Sequence, residues 1–495
     1  MSGVAALLGA AAARAGDRVA LVDEDSASPR RWTWSGLDEA ARRVAEQLGE
    51  RGVAPGDRVA LLCGNGAPFV AAWFGIAYAG ATVVPIPTVS ALPEVRHRLV
   101  HAACRMAIVD RERQELAQSA GAPAVALADE LLIGQVGQRR LPEIADDAVA
   151  MILYTSGTTG TPKAAMFSHG SLVTHTRNLA ATLGLDGDDV ILGALPLTHS
   201  FGCRMVMLLA TVLTARVVLM RRFSAARALE LVDGAGVTWL PAVPTMLAGL
   251  VARSVGAQHP SPSRRLRWCL SAGAPLPDAL ARRAEMQLGC DVRQGYGLTE
   301  ASFSTVDAPP APRTLGSVGR AVAGVELRLG DAGEVLMRGP HRTLGYLDDA
   351  AATAAALDGD WLHTGDVGRL DDAGRLWIVD RTKDLIIRGG NNVYPSEVES
   401  VLAQHPGVSQ VAVVGRPDDY FGEEIVAVIV PRDVPPPATE LLTLLRAHLG
   451  ATKLPRELVF VAEMPLGASG KVLKRILREQ LVDGTLRPEK LKLLG

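Results

Sequence analysis

The chain has 495 residues, 48% of them apolar and only 4% aromatic, with a formal charge of −2. That length exceeds one ordinary core and implies two or more domains. The near-neutral charge excludes the basic excess that nucleic-acid binding requires, and so few aromatics leave no base-stacking platform.

The first stretch, MSGVAALLGAAAARAGDRVALV, has no basic start, its first cation being Arg14, so it predicts an amphipathic helix and not a signal peptide. A second helix is expected over Ser35 to Gly52, with Ser35 as N-cap and Leu37, Ala41, Val44 and Leu48 on one face. Short β-like runs (RVALLCG, MILYTSG, DVILGALP, VTWLPAVP, LRWCLSAG) alternate with helical stretches to about residue 300. This alternation implies an α/β fold of parallel sheets covered by helices, with ligands in loops at the carboxyl ends of strands. The apolar run CRMVMLLATVLTARVVLM contains Arg204 and Arg216 and ends in a strand-like segment, so no transmembrane span is expected. The five cysteines are scattered without a CxxC unit, which reads as reduced thiols in a cytoplasmic protein.

From about Val325 the rhythm changes to hairpins, such as VELRLGDAGEVLMRGP and VSQVAVVGRPDDYFGEEIVAVIVPR. Ser396 and Glu399 have capping-box spacing, and Thr439 is placed to cap a further helix. The last hundred or so residues therefore form a small α+β unit. The boundary falls between Asp380 and Asp384, dividing the chain into 1–382 and 383–495.

Four stretches carry chemistry. YTSGTTGTPK (Tyr154 to Lys163) follows a buried strand and offers backbone N–H groups, hydroxyls and one cation, which suits a polyphosphate. A solvated surface turn is the alternative. It is not a P-loop, because Gly160 is followed by Thr161-Pro162-Lys163-Ala164. QGYGLTEAS sets Tyr296 between Gly295 and Gly297, then Thr299 and Glu300; a carboxylate beside phosphates calls for a cation, so Glu300 reads as a Mg²⁺ ligand. LHTGDVGRLDDAGRLWIVDRTKDLIIRGGNNVYP carries Asp366 on a tight turn and Arg381 and Lys383 in a strand-like segment; a solvated hairpin edge would explain these charges equally well. PLGASGKVLKR presents Lys471 on a small-residue turn, and alone reads as a basic helix face.

Taken in order, YTSGTTGTPK, GYGLTE, HTGD, DRTKDLIIRGGNNVYP and SGK resemble the motifs of the adenylate-forming superfamily, which contains acyl-CoA synthetases, peptide-synthetase adenylation domains and beetle luciferase. The resemblance runs from about residue 17 to 480. It implies a large N-terminal domain of layered parallel-rich sheets with a β-barrel-like subdomain, and a small mobile α+β C-terminal domain. It implies that ATP and a carboxylic acid give an acyl-adenylate and pyrophosphate, after which a thiol displaces AMP. By the same resemblance Thr155, Ser156, Gly157, Thr158, Thr159, Gly160 and Lys163 cradle the phosphates, Thr299 bonds the α-phosphate and Glu300 holds Mg²⁺. Gly273, Ala274 and Gly295 to Gly297, with Tyr296, flank adenine, and Asp366 and Arg381 grip the ribose. Lys471 neutralises charge at the reacting carboxylate, Lys383 is the hinge, and Gly389 and Gly390 line a pantetheine tunnel gated by His199. Ala164 stands where the family usually has glycine, a difference expected to matter little.

The acyl pocket is expected to be lined by His199, Phe201, Gly202, Cys203, Val243, Ser271, Gly273, Gly297, Leu298, Ser302 and Phe303, mostly small or apolar, as for a fatty or aromatic acid. The stretch HSFGC lacks the carboxylate that amino-acid-activating relatives carry, and Gly295 stands where malonate-activating relatives carry arginine. No long insertion typical of carrier-loading fatty acyl-AMP ligases is present, so coenzyme A is the expected acceptor, with a carrier-protein pantetheine, another non-CoA acceptor or a catalytically idle nucleotide-binding protein as alternatives. Oligomeric state is not legible in the sequence.

Overall fold

The computed structural model describes residues 3–24, 29–134, 141–155, 162–254, 265–381, 384–389, 391–467 and 472–491. The chain divides into two compact units. The first comprises Met1–Leu276, Leu280–Leu327 and Met337–Leu362; the second comprises Pro277–Ala279, Arg328–Leu336 and His363–Gly495.

The first unit is built on two sheets. One has nine strands, and its six inner strands run parallel in the order Asp291–Leu298, Trp268–Ser271, Trp239–Ala242, Val190–Gly193, Arg216–Leu219 and Val19–Asp23. Ser302–Val306 folds back antiparallel on Asp291–Leu298. The other sheet has seven strands, with Val149–Tyr154, Thr82–Pro85, Arg58–Leu62, Met106–Val109 and Val125–Leu127 parallel. Ala164–Ser168 and Gly345–Tyr346 add antiparallel strands at its edge. Thr82–Pro85, Met106–Val109, Val190–Gly193, Trp239–Ala242 and Trp268–Ser271 are buried along their whole length, as continuous apolar runs require when both faces are covered. The helix Ala67–Tyr78 is apolar on every side and buried along its length from Phe69 to Tyr78, as a helix inside a core must be.

The second unit contains a six-stranded sheet in which Val408–Asp418 and Gly422–Pro431 form a long hairpin and Glu457–Phe460 runs parallel to the latter. The helices Pro395–Leu402, Ala438–His448 and Lys474–Val482 bury Val398, Leu402, Leu441, Leu445, Leu477 and Leu481. This is the mixed α/β architecture expected.

Local capping differs from expectation in three places. The second helix starts at Trp34, and Thr33 caps it by accepting from the Gly36 N–H. Pro395 occupies the first helical turn, so Ser396 lies inside the helix and its hydroxyl donates to the Val379 carbonyl instead. Glu399 accepts from the Val413 N–H at 2.7 Å and pairs with Lys474 at 2.7 Å. Thr439 is likewise within its helix, which begins at Ala438 after Pro437.

Candidate active site

The ends of the hydroxyl-rich loop are fixed by backbone pairing. Tyr154 closes the buried strand Val149–Tyr154, the Thr155 N–H donates to the Lys163 carbonyl at 2.8 Å, and the Lys163 N–H approaches Thr155 Oγ1 at 3.3 Å. Ser156, Gly157, Thr158, Thr159 and Gly160 lie outside the described residues. The Lys163 Nζ sits 5.0 Å from the centre of the Tyr346 ring. Tyr346 is paired with Ala165 across the sheet edge, and its hydroxyl donates to Glu300 Oε1 at 2.9 Å. Burial, then the Glu300 carboxylate, pushes the phenol pKa up, so Tyr346 remains a donor at neutral pH. The Glu300 carbonyl also accepts from the Thr343 N–H at 2.6 Å.

Thr299 and Glu300 form the turn after the strand Asp291–Leu298, and both are half-buried. Gly297 is fixed by packing: a Cβ there would overlap the Ser302 carbonyl oxygen. Ser302 itself holds φ +51, an uncommon conformation for a residue other than glycine. Tyr296 is 9% exposed, and Gly295 faces the Phe303 ring. Gly273 turns with φ +84 next to Val243, after the buried strand that ends at Ser271. Ala274 follows it, half-buried.

His199 caps a short turn, its Nδ1 accepting from the Phe201 N–H at 3.3 Å. The side chain is solvent-accessible although protein surrounds it, as for a group lining a deep cleft. Desolvation lowers its pKa, so the ring is neutral at pH 7. Phe201 meets Phe303 edge-on with ring centres 4.8 Å apart. Gly202 and Cys203 are buried behind them, and Leu298 is half-buried. The hydroxyls of Ser200, Ser271 and Ser302 are buried without a hydrogen-bond partner among the described residues. A buried hydroxyl without a partner is what a polar ligand atom would satisfy.

Sequence reading missed Asn65. Its side-chain amide donates to the Leu195 and Met220 carbonyls at 2.8 and 3.1 Å and accepts from the Leu197 N–H at 2.9 Å. It holds the loop that presents His199. The partners lie far along the chain, so no local pattern marks it. Tyr346 was also missed, lying outside every motif.

In the second unit, Asp366 is 3% exposed and pairs across the hairpin with Arg381, while its N–H donates to Thr364 Oγ1 at 3.1 Å. The Gly389 N–H donates to the Phe421 carbonyl at 2.8 Å. Next to it, Arg388 binds both oxygens of Glu424 at 2.6 and 3.2 Å and stacks 4.2 Å from the Phe421 ring centre. Lys383, Gly390 and Lys471 lie outside the described residues. Leu466 and Val472, on either side of Lys471 in the sequence, form an isolated antiparallel bridge.

Among the described residues no group of three His, Cys, Asp or Glu could enclose a metal ion, and no helix is long and apolar enough to cross a membrane. Glu300 nevertheless fits Mg²⁺. It is a hard oxygen ligand with one oxygen held by Tyr346, and this ion takes one or two carboxylates plus phosphate and water. All five cysteines are free thiols.

The AMP-binding enzyme family profile matches residues 8–347, and the AMP-binding enzyme C-terminal domain profile matches residues 397–471. The 3-[(3aS,4S,7aS)-7a-methyl-1,5-dioxo-octahydro-1H-inden-4-yl]propanoyl:CoA ligase of Mycobacterium tuberculosis is 36% identical, over 94% of this chain and 96% of that protein. The feruloyl-CoA synthase of an Amycolatopsis species is 36% identical, over 90% and 94% respectively. The o-succinylbenzoate coenzyme A synthetase of Bacillus subtilis, solved with ATP and magnesium ion, superposes with TM-score 0.86 at 31% identity, over 96% of this chain and 99% of that one. With these matches spanning both units, the chain belongs to the AMP-binding enzyme family and is an acid-activating enzyme of its acyl-CoA ligase branch.

Proposed function

We propose that the protein joins a bulky apolar or aromatic carboxylic acid to coenzyme A at the expense of ATP. The observation that carries this reading is the chain of contacts from Lys163 through Tyr346 to Glu300, which brings a cation and a carboxylate together beside the hydroxyl-rich loop. A polyphosphate needs both: the ammonium meets phosphate oxygens, and the carboxylate needs a divalent cation between itself and them.

In the first step a substrate carboxylate oxygen attacks the α-phosphorus, a P–O bond forms, and the bond to the β-phosphate oxygen breaks, releasing pyrophosphate. Glu300 would hold Mg²⁺, which screens the phosphate charge when bound. Thr155, Thr299 and Lys163, together with residues 156–160, orient the phosphates. Gly273, Ala274, Gly295, Tyr296 and Gly297 enclose adenine, Asp366 and Arg381 take the ribose, and Lys471 neutralises the charge where carboxylate and α-phosphate meet. Such positioned charge is the main demand of phosphoryl-type transfer. In the second step the thiol sulfur attacks the acyl carbon, a C–S bond forms, the S–H proton is lost to water, the C–O bond breaks, and AMP leaves with the electron pair. A hinge at Lys383, at the boundary expected from the sequence between 1–382 and 383–495 and within the second compact unit, exchanges the two arrangements, and Gly389 and Gly390 line the thiol's approach past neutral His199.

The acyl wall of Phe201, Cys203, Val243 and Phe303 favours a ring or a long chain, in keeping with the relatives' names. A cytoplasmic setting suits five free thiols and a coenzyme A substrate. The test is AMP release across fatty, benzoic, cinnamic and fused-ring acids, with and without coenzyme A, using hydroxylamine to trap adenylates. Turnover that needs both one acid class and coenzyme A supports the reading. Hydroxamate without coenzyme A turnover replaces the acceptor by a carrier protein, and no pyrophosphate exchange with any acid ends it.

A further inference from the structure

We propose that Arg204 recognises a second acceptor group, a carboxylate or a keto oxygen, at the end of the acid remote from the reacting carboxylate. This rests on the acid-activating reading above and narrows its substrate class.

Arg204 lies in Cys203–Leu208, a stretch of helix widened to the π form, a distortion often found at functional sites. It is 0% exposed, yet Nε, Nη1 and Nη2 all lack a hydrogen-bond partner among the described residues. Burial lowers its pKa to about 10, which leaves it charged at neutral pH. The fold treats its other buried arginines differently. Arg98 binds Ser90, Arg293 binds Asp291, and Arg388 binds Glu424. An unpaired buried guanidinium is costly, and this one stacks on the Phe167 ring, 4.4 Å from its centre.

Two neutral imidazoles lie beside it, each with one N–H donor and one acceptor nitrogen. His175 and His341 are 0% exposed, with ring centres 5.2 Å apart. Burial, with the Arg204 charge beside them, keeps both imidazoles neutral. Apart from the approach of His175 to the Phe303 backbone, its nitrogens have no hydrogen-bond partner among the described residues, nor has Nδ1 of His341, whose Nε2 meets Ser304 Oγ at 3.0 Å.

The cluster adjoins the acyl wall. Arg204 is three residues, about one helical turn, beyond Phe201, which packs on Phe303. His175 lies against the Phe303 backbone, and Ser304 is the next residue. An acid reaching past the two phenylalanines meets the guanidinium. An apolar tail would leave that charge unpaired, whereas a carboxylate or ketone would accept its N–H groups. The expectation of an apolar pocket therefore changes at this point. The visible signal was the lone arginine in the run CRMVMLLATVL.

The experiment uses the full-length protein and matched acids: octanoate, suberate and 7-oxooctanoate, and 3-phenylpropanoate with its 4-carboxy and 4-acetyl derivatives. AMP release with coenzyme A gives kcat/KM for wild type, Arg204→Met and Arg204→Lys. In wild type the polar-ended acid of at least one set should exceed its plain counterpart by about 10² or more, and Arg204→Met should abolish that ratio. The carboxylate and keto arms say which group is read. Equal ratios in wild type and Arg204→Met overturn the proposal and make Arg204 a water-solvated structural residue. If no acid turns over, or Arg204→Met folds poorly, acid-dependent shifts in Tm are compared between wild type and Arg204→Lys. A larger shift from polar-ended acids in wild type, diminished in Arg204→Lys, upholds the proposal, and no difference sinks it. Failure of the underlying reading is distinct: ATP would then neither raise Tm nor support pyrophosphate exchange.

Discussion

The Tyr346 hydroxyl donates to Glu300 Oε1 at 2.9 Å, and this bond ties the two sheets of the first unit together. Glu300 follows a strand of the nine-stranded sheet, whereas Tyr346 belongs to the edge of the seven-stranded sheet. The Tyr346 ring also carries the Lys163 ammonium. One side chain thus sets the spacing between a cation and the carboxylate proposed to hold Mg²⁺. Tyr346→Phe should lower the adenylation rate about tenfold, the worth of one hydrogen bond to a charged group, and should raise the Mg²⁺ concentration needed for half-maximal rate. Glu300→Gln should cost roughly 10²–10³. Pyrophosphate exchange against Mg²⁺ concentration checks both; an unchanged Mg²⁺ dependence in Tyr346→Phe would detach the tyrosine from the metal site.

Gly297 is the backbone counterpart of that arrangement. A Cβ at this position would overlap the Ser302 carbonyl oxygen, which is backbone and cannot swing away. Gly297→Ala should therefore open the hairpin of Asp291–Leu298 and Ser302–Val306 and cost about 3 kcal/mol or more. Urea unfolding followed by tryptophan fluorescence measures it, since Trp239 and Trp268 are buried in the same sheet. Wild-type stability in this variant would refute the packing argument.

Three buried histidines give the first unit a pH dependence. Burial lowers His169 to about 4 and His341 to about 3, and pushes His175 down as well. All three are neutral in the folded state at pH 7, while in the unfolded chain they take up protons below about 6.5. Their contribution is complete above that value and is lost as pH falls through it towards the folded values. At pH 5 the loss is about 2 kcal/mol per histidine. Unfolding free energies at pH 7, 6 and 5 should fall accordingly. His169→Asn, which can still accept from the Val4 N–H, should shallow the slope by one proton.

The stretches proposed to hold phosphate were legible because such chemistry is written in contiguous motifs. Thr155, Lys163 and the stretch from Gly295 to Glu300 lie at the ends of strands whose apolar runs are unmistakable. The alternation of runs and helices also gave the parallel sheets. What escaped depends on distant pairing. Asn65 bonds across more than a hundred residues, and Tyr346 acquires its place only when Gly345–Tyr346 joins the strand Ala164–Ser168. Caps were misjudged by one or two residues because Ser35, Ser396 and Thr439 each stand near another residue able to begin the helix.

In the proposed mechanism Lys471 separates the two half-reactions: its charge serves the attack of carboxylate on phosphorus and not the attack of sulfur on carbon. Lys471→Ala should lose roughly 10²–10³ in adenylation. Starting from synthetic acyl-adenylate and coenzyme A, the same variant should form thioester at close to the wild-type rate. Rapid-quench measurement of each half decides this, and equal losses in both would remove the division of labour.

Glu424 supplies the complementary case in the second unit. Its two oxygens hold buried Arg388, which adjoins Gly389 and stacks on Phe421. Glu424→Ala strands a buried guanidinium and should cost about 3–5 kcal/mol. Removing both charges with Arg388→Met and Glu424→Leu should cost far less, since a buried pair gains little over apolar packing. The consequence for catalysis differs from that for stability. If the loop after Arg388 receives the thiol, the double variant should fold yet slow thioester formation from preformed adenylate, leaving pyrophosphate exchange intact. A double variant with both half-reactions unchanged would make the pair purely structural.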